Sequence, residues 1–171
     1  SEQQKHISPL PECDPEIGRM LWMMEDARTR TRSALAGLDK ALIDWREDDD
    51  THTIGTILYH LAISELHRLS EIVDLEGHPI WEQFTESARD DHGVLTTLSA
   101  HSYEWYWQRL NHVRLLLLDA FQRMSPDDFR SPRHAGQREF TPEWMLYHLL
   151  QHEAEHRMEL RLLRTRAERA S

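Results

Sequence analysis

The sequence predicts an all-α protein, a four-helix bundle with a longer crossover between its second and third helices. Four long segments repeat apolar residues at the three- and four-residue spacing of an amphipathic helix. Most connections between them are short and marked by Pro, Gly or Asp, and no segment alternates as a core strand does. The segment Arg138-Glu139-Phe140 could pair locally, but only outside the core.

The chain begins with a polar stretch that carries three prolines. We expect residues 1–14 to form a flexible tail and residues 15–171 to form a single domain. At 171 residues, one domain can bury a substantial core without disulfides or a structural metal. The only cysteine, Cys13, lies in the tail. This excludes an internal disulfide or a cysteine-based zinc site, and we expect no catalytic role for Cys13.

The first two helices have clear periodicity. The first is predicted from about Glu16 to Trp45, where apolar residues recur in helical register. The second opens near Thr53, whose hydroxyl can cap the helix, and the segment Gly77-His78-Pro79 stops it. An irregular crossover from Ile80 to Thr96 leads to the second half of the bundle.

The third helix is predicted from about Leu98 to Met124 and is rich in aromatic residues, with Trp105 and Trp107 beside Tyr103 and Tyr106. An aromatic helix face is more often core or dimer interface than the lining of a substrate cavity. Because these rings cannot all face one core, we expect a homodimer.

The last helix begins at Thr141-Pro142, an N-cap followed by a first-turn proline. Within it, His152 and His156 lie four residues apart, so both imidazoles point the same way and can hold one metal ion. The alternative is a pair of neutral, hydrogen-bonded core histidines. A pair of imidazoles inside a stripe of leucine and methionine favours the metal site over that alternative.

The string from His152 to His156 also spells the zinc-peptidase signature His-Glu-x-x-His. The extended form of that motif is broken at Met158, and the predicted fold has no edge strand to align a peptide. A ferritin-like di-iron bundle needs two Glu-x-x-His pairs, whereas only Glu153 and His156 form one. These observations favour a mononuclear site with a third ligand from a facing helix.

His60, near the start of the second helix, is the best candidate for the third ligand, and His67 and His148 are its rivals. On a helical wheel, His60 falls on the polar side with Thr56 and Ser64. An exposed histidine is therefore the interpretation that periodicity favours, and the pattern alone leaves the third ligand open.

Two blocks of the sequence resemble the DinB/YfiT-like family of bacterial four-helix-bundle proteins. The first block is Ile-Gly-Thr-Ile-Leu-Tyr-His-Leu over residues 54–61, followed by Glu65. The second runs from Trp144 to His156 and is followed by Arg157. Helix order and loop placement extend the resemblance over nearly the whole chain.

In that family, one histidine of the second helix and two of the fourth form a three-histidine metal site with positions open for water. The resemblance therefore implies that His60, His152 and His156 are metal ligands. Many members carry His and Gly where this chain has Glu155 and Met158, and neither change removes a ligand.

Three neutral imidazoles suit a divalent Zn, Ni or Fe ion, and such a site can lower the pKa of a bound water or thiol. Glu159 lies on the same arc as His152 and His156, one turn further along. We expect Glu159 or Glu153 to orient a ligand or accept a proton. A solvent-facing glutamate paired with an arginine is the alternative.

The resemblance also implies a class of reaction on a small-molecule substrate. Several relatives look like thiol-dependent transferases or isomerases that use bacillithiol or mycothiol, which indicates a metal-dependent S-transferase with an external low-molecular-weight thiol. A hydrolase that uses metal-bound water is one alternative. A non-catalytic stress-response or binding module is another.

Composition excludes some partners. The formal net charge of −10 is spread along the chain, whereas a nucleic-acid surface needs a basic patch. The longest apolar run, Leu115 to Leu118, is far too short to span a membrane, and no segment reads as a signal peptide. With a single cysteine, we expect a cytoplasmic protein.

Overall fold

Four long helices form the all-α bundle that the sequence predicts. The computed structural model describes residues 6–49 and 51–171. Its helices are α1 (Pro15–Ala34), α2 (Ile54–Ser70), α3 (Tyr103–Gln122), the short α4 (Pro126–Arg130) and α5 (Pro142–Ala170). The connections contain 3-10 helices at Lys40–Asp44 and Pro79–Gln83, and a hairpin of strands β1 (Arg133–Ala135) and β2 (Arg138–Phe140).

The packing of the four long helices leaves α2 covered on most of its surface. α1 packs against α5 and α3, and α2 packs against the same two helices. Every residue of α2 except Ser64, His67, Arg68 and Ser70 is buried. His60 is therefore covered by protein although it lies on the polar side of this helix, which corrects the interpretation of His60 as an exposed histidine.

The predicted starts of α2 and α5 are confirmed by their caps. The Thr53 hydroxyl accepts the Thr56 N–H at 2.9 Å, and the Thr141 hydroxyl accepts the Trp144 N–H at 3.1 Å. Pro142 occupies the first turn of α5, where its missing N–H costs nothing.

The predicted end of the first helix is wrong, because α1 stops at Ala34 rather than Trp45. Leu35 and Leu38 are buried, so their spacing reflects packing, but the backbone between them turns. Gly37 adopts a φ of +72°, which a helix cannot accommodate and which glycine adopts without strain.

The crossover is longer than predicted at both ends, since α2 stops at Ser70 and α3 begins at Tyr103. It contains the 3-10 helix at Pro79–Gln83 and an isolated bridge between Arg89 and Leu95. The predicted local pairing of residues 138–140 is confirmed by the hairpin of β1 and β2.

Part of the predicted tail, residues 1–5, lies outside the described residues. Further along, the Leu10 N–H donates to the Gly18 carbonyl at 3.1 Å, and Leu10 packs against the core. Burial, with the nearby charge of Asp14, raises the pKa of the Cys13 thiol, which disfavours a nucleophilic thiolate. Tail flexibility stays a prediction. Among the described helices, none has the length and apolar character needed to cross a membrane.

The aromatic residues of α3 are accommodated within one chain. Tyr106 and Trp107 are buried, and Tyr103 and Trp105 are half-buried against the core. The observation that led us to expect a homodimer is therefore explained without a partner. The homodimer itself stays a prediction.

Candidate metal centre

His60 of α2 and His152 and His156 of α5 come together between the two helices, and we call them the histidine triad. One ring nitrogen from each lies within 4.8 Å of the other two. Nε2 of His60 and Nε2 of His152 are 3.1 Å apart. Nitrogen ligands about 2.0–2.1 Å from one ion stand roughly 3 Å apart. The spacing of this pair therefore matches that of two ligands on a single ion.

Nδ1 of His156 and Nδ1 of His60 each have a hydrogen-bond partner, which leaves the Nε2 atoms of these rings available to a metal ion. Nδ1 of His156 lies 2.9 Å from Oε2 of Glu159, and because an ionised carboxylate only accepts, Nδ1 must donate. Nε2 of His156 then carries the lone pair, as in histidines that bind metals. Nδ1 of His60 lies 3.3 Å from the Ser64 hydroxyl, which can play the same part.

Burial keeps His60 and His152 uncharged at neutral pH. Desolvation, reinforced by the neighbouring histidines, lowers the pKa of His60 to about 3 and that of His152 to about 4. The hydrogen bond from His156 lowers the pKa of Glu159, so this carboxylate stays ionised and holds the ring. Neutral imidazoles are the form that binds metal ions.

Comparison with known proteins gives the family. The family model for the DinB superfamily matches residues 23–160, a stretch that contains the whole histidine triad. The chain belongs to the DinB superfamily. No curated protein matches this sequence.

Within this DinB-superfamily bundle, Glu153 does not contact the triad in the way that the sequence motif suggested. Its Oε1 accepts from Nε of Arg28 at 2.9 Å, and its Oε2 accepts from Arg114 at 3.1 Å. One residue along a helix turns the side chain by about 100°. Glu153 therefore reaches the interior of the bundle, whereas His152 reaches α2.

The two arginines complete a buried group that we call the ion cluster: Arg28, Glu65, Arg114 and Glu153. Each comes from a different long helix, and each is no more than 5 % exposed. Glu65 accepts from Arg28 at 2.8 Å and from Arg114 at 2.8 and 2.9 Å. Burial acts to raise the pKa of Glu153, but the two guanidinium groups outweigh it and hold that pKa below its usual range. Sequence reasoning missed both arginines.

The rival histidines lie beside the triad rather than in it. His67 packs against Trp81, with ring centroids 5.2 Å apart, and His148 stacks on Trp144 at 4.9 Å. Both line a cavity that also reaches His60 and His152. They belong to the surroundings of the site.

The triad has the donor chemistry of a mononuclear site. It offers three imidazole nitrogens on two packed helices, with a carboxylate orienting one ring. This donor set can hold a divalent metal ion such as Zn, Ni or Fe(II). The fold and the triad together fit a metal-binding DinB-like protein.

Proposed function

We propose that this protein is a metal-dependent S-transferase that uses an external low-molecular-weight thiol of the bacillithiol or mycothiol kind. The observation that carries the proposal is the convergence of three imidazole nitrogens beside a cavity of about 500 Å³. A metal ion held by His60, His152 and His156 lowers the pKa of a bound thiol or water. Three protein ligands leave room for such a molecule.

The environment of Cys13 disfavours this thiol as the nucleophile, so the nucleophile would come from outside the protein. Cys13 lies ahead of α1, donates to the Leu10 carbonyl at 3.4 Å, and has a raised pKa. The transfer is redox-neutral. The external thiol gives up its proton, its sulfur bonds to an electrophilic carbon, and the leaving group departs with the electron pair of the broken bond.

The test is thiol transfer by protein loaded separately with Zn, Ni and Fe(II). Each form is incubated with 1-chloro-2,4-dinitrobenzene and a panel of small thiols, and thioether products are identified by mass spectrometry. We expect product from at least one metal form and none above background from His152→Ala. If no thiol binds to or reacts with any metal form, the S-transferase proposal fails.

A hydrolase is the second candidate, favoured by the position of Glu159. Its carboxylate is ionised and hydrogen-bonded to a triad histidine, and a carboxylate so placed can take a proton from an attacking water. Turnover of activated esters in thiol-free buffer, lost in His152→Ala, would identify this activity. Metal binding without turnover in either assay would indicate a non-catalytic binding module.

A further inference from the structure

The cavity beside the triad has a chemical character of its own. It lies between α2, α5 and the crossover and has a volume of about 500 Å³, within the range of small-molecule sites. His60 and His152 line it on the side of the triad. Along α2 its wall continues to Arg68 and Glu71, and the crossover contributes Arg89.

Arg68 keeps part of its guanidinium group available. Its two hydrogen bonds to Glu71, at 3.0 and 3.2 Å, both come from NH1. Glu71 also accepts from Arg138 at 2.6 Å. Nε and NH2 of Arg68 have no acceptor within residues 6–49 and 51–171, although a planar guanidinium has donors on all three nitrogens.

Arg89, on the crossover, also keeps part of its guanidinium group available. Its NH1 donates to the Gly93 carbonyl at 2.6 Å, and the bridge between Arg89 and Leu95 fixes its backbone. No carboxylate pairs with Arg89 in the part of the chain that the structure describes. The cavity is thus lined by one arginine from α2 and one from the crossover, and both keep N–H donors without an acceptor among the described residues.

The charge of this wall is opposite to that of the protein. Two guanidinium groups face the cavity against the single carboxylate of Glu71, whereas the whole chain carries a formal charge of −10. A local positive excess on an acidic protein attracts anions to one place, and guanidinium donors match the geometry of oxyanions.

We propose that this cavity binds the oxyanion end of the reacting small molecule, a carboxylate or phosphate group, through Arg68 and Arg89. The other end of that molecule lies at His60 and His152. The inference rests on the proposed function for what reacts at the triad, and it adds that the preferred reactant is an anion rather than a neutral or cationic compound.

Calorimetry with succinate and with inorganic phosphate tests the anion site without turnover. The full chain, with and without added Zn²⁺, is compared with Arg68→Gln, Arg89→Gln and the control Arg123→Gln. Arg123 is exposed at the C-terminal end of α3, does not line the cavity, and pairs with Asp119. We expect each cavity variant to weaken binding about tenfold, the loss of a charged hydrogen bond, and the control to leave it unchanged.

The pattern of results separates the two proposals. Tighter binding of succinate would identify a carboxylate ligand, and tighter binding of phosphate a phosphate ligand. Binding that depends on both arginines, in a protein without thiol turnover, would remove the S-transferase and keep the anion site. No binding of either anion, or equal binding by all four proteins, would overturn the anion site even if thiol transfer occurs.

Discussion

The two carboxylates of the ion cluster and the histidine triad occupy neighbouring turns of the same two helices, yet the polar atoms of the two groups are satisfied in different ways. Glu65 follows His60 on α2, and Glu153 directly follows His152 on α5. In the ion cluster each carboxylate contacts both arginines. In the triad, one ring nitrogen from each histidine lies within 4.8 Å of the other two. A cluster whose charges pair with one another holds helices together, whereas ring nitrogens that converge without such pairing are suited to binding a ligand.

The ion cluster also explains how the triad keeps its orientation. Its four members come from the four long helices, so their mutual contacts fix the rotation of α5 against α2. Buried ion pairs cost much of their Coulomb energy in desolvation, and their best-attested benefit is specificity of packing. We infer that the cluster positions the triad without taking part in its chemistry.

The largest expected effect comes from breaking the ion cluster. Glu153→Ala leaves two buried arginines short of a carboxylate and should lower the free energy of unfolding of the metal-free protein by about 3–5 kcal/mol. Urea denaturation measures it. The exposed neighbour Glu155 supplies the control, since Glu155→Ala should change stability by less than about 0.5 kcal/mol. A stable Glu153→Ala protein that has lost turnover would instead place Glu153 in the chemistry.

Breaking the triad should remove metal and leave the bundle folded. His152→Ala removes one of the three proposed ligands. Loss of a hydrogen-bond partner outside the coordination shell costs up to about 100-fold in metal affinity, so the loss of a ligand should cost more. Elemental analysis after dialysis, with circular dichroism beside it, checks both statements. His148→Ala is the matched control on the same helix and should keep its metal. Full metal content in His152→Ala would disprove the triad as the binding site.

The two clusters should also differ in the pH range over which they affect stability. Below the ordinary histidine pKa of 6.5 the unfolded chain takes up protons, whereas His60 and His152, with pKa values of about 3 and 4, do not. The metal-free protein should therefore lose stability as pH falls from 6.5 towards 4, by up to about 1.4 kcal/mol per pH unit for each histidine. The lowered pKa of Glu153 acts in the same direction, but only below its ordinary value of 4.5.

Urea midpoints at pH 7, 6 and 5 measure this dependence. His60→Gln should reduce the slope, because one site that takes up a proton on unfolding is gone from the folded and unfolded chain alike. If the stability of the wild-type protein stays constant between pH 7 and 5, the interpretation of His60 and His152 as buried, neutral histidines is wrong.

The smallest expected effect is on the orientation of a single ring. Glu159→Gln weakens the hydrogen bond that holds His156 and should reduce metal affinity about tenfold. Because Glu159 is only half-buried, stability should hardly change. Competition with a chelator measures the affinity, and Glu155→Gln serves as control. Equal affinities in the two variants would show that Glu159 does not orient the ligand.

The sequence alone was sufficient to predict that the two histidines of α5 lie close together. His152 and His156 are related by helical geometry alone, so their spacing predicts their proximity. His60 lies on another helix, and its environment depends on which face of α2 the neighbours cover. A helical wheel places His60 on a polar side but cannot reveal that α5 buries that side. The resemblance to the family supplied what periodicity could not.

The ion cluster shows where the sequence misled. Glu153 sits inside a motif whose glutamate is catalytic in peptidases, so local spacing pointed to the wrong neighbours. Its real partners, Arg28 and Arg114, are distant along the chain. A signal for them exists, since Arg114 lies between the buried Leu110 and Leu117 on the core arc of α3. A charged residue in a core register predicts a buried counter-charge, although not which one.

The crossover is tied to α2 at two points. The Tyr59 hydroxyl donates to the Glu86 carbonyl at 2.8 Å, and the Leu98 N–H donates to the Thr56 hydroxyl at 3.1 Å. Both anchors belong to α2, one on each side of the turn that leads to His60. The stretch between them, which carries Arg89, can therefore accumulate substitutions without shifting the histidines. The lining of the cavity can therefore change at Arg89 while the arrangement of the three histidines stays the same.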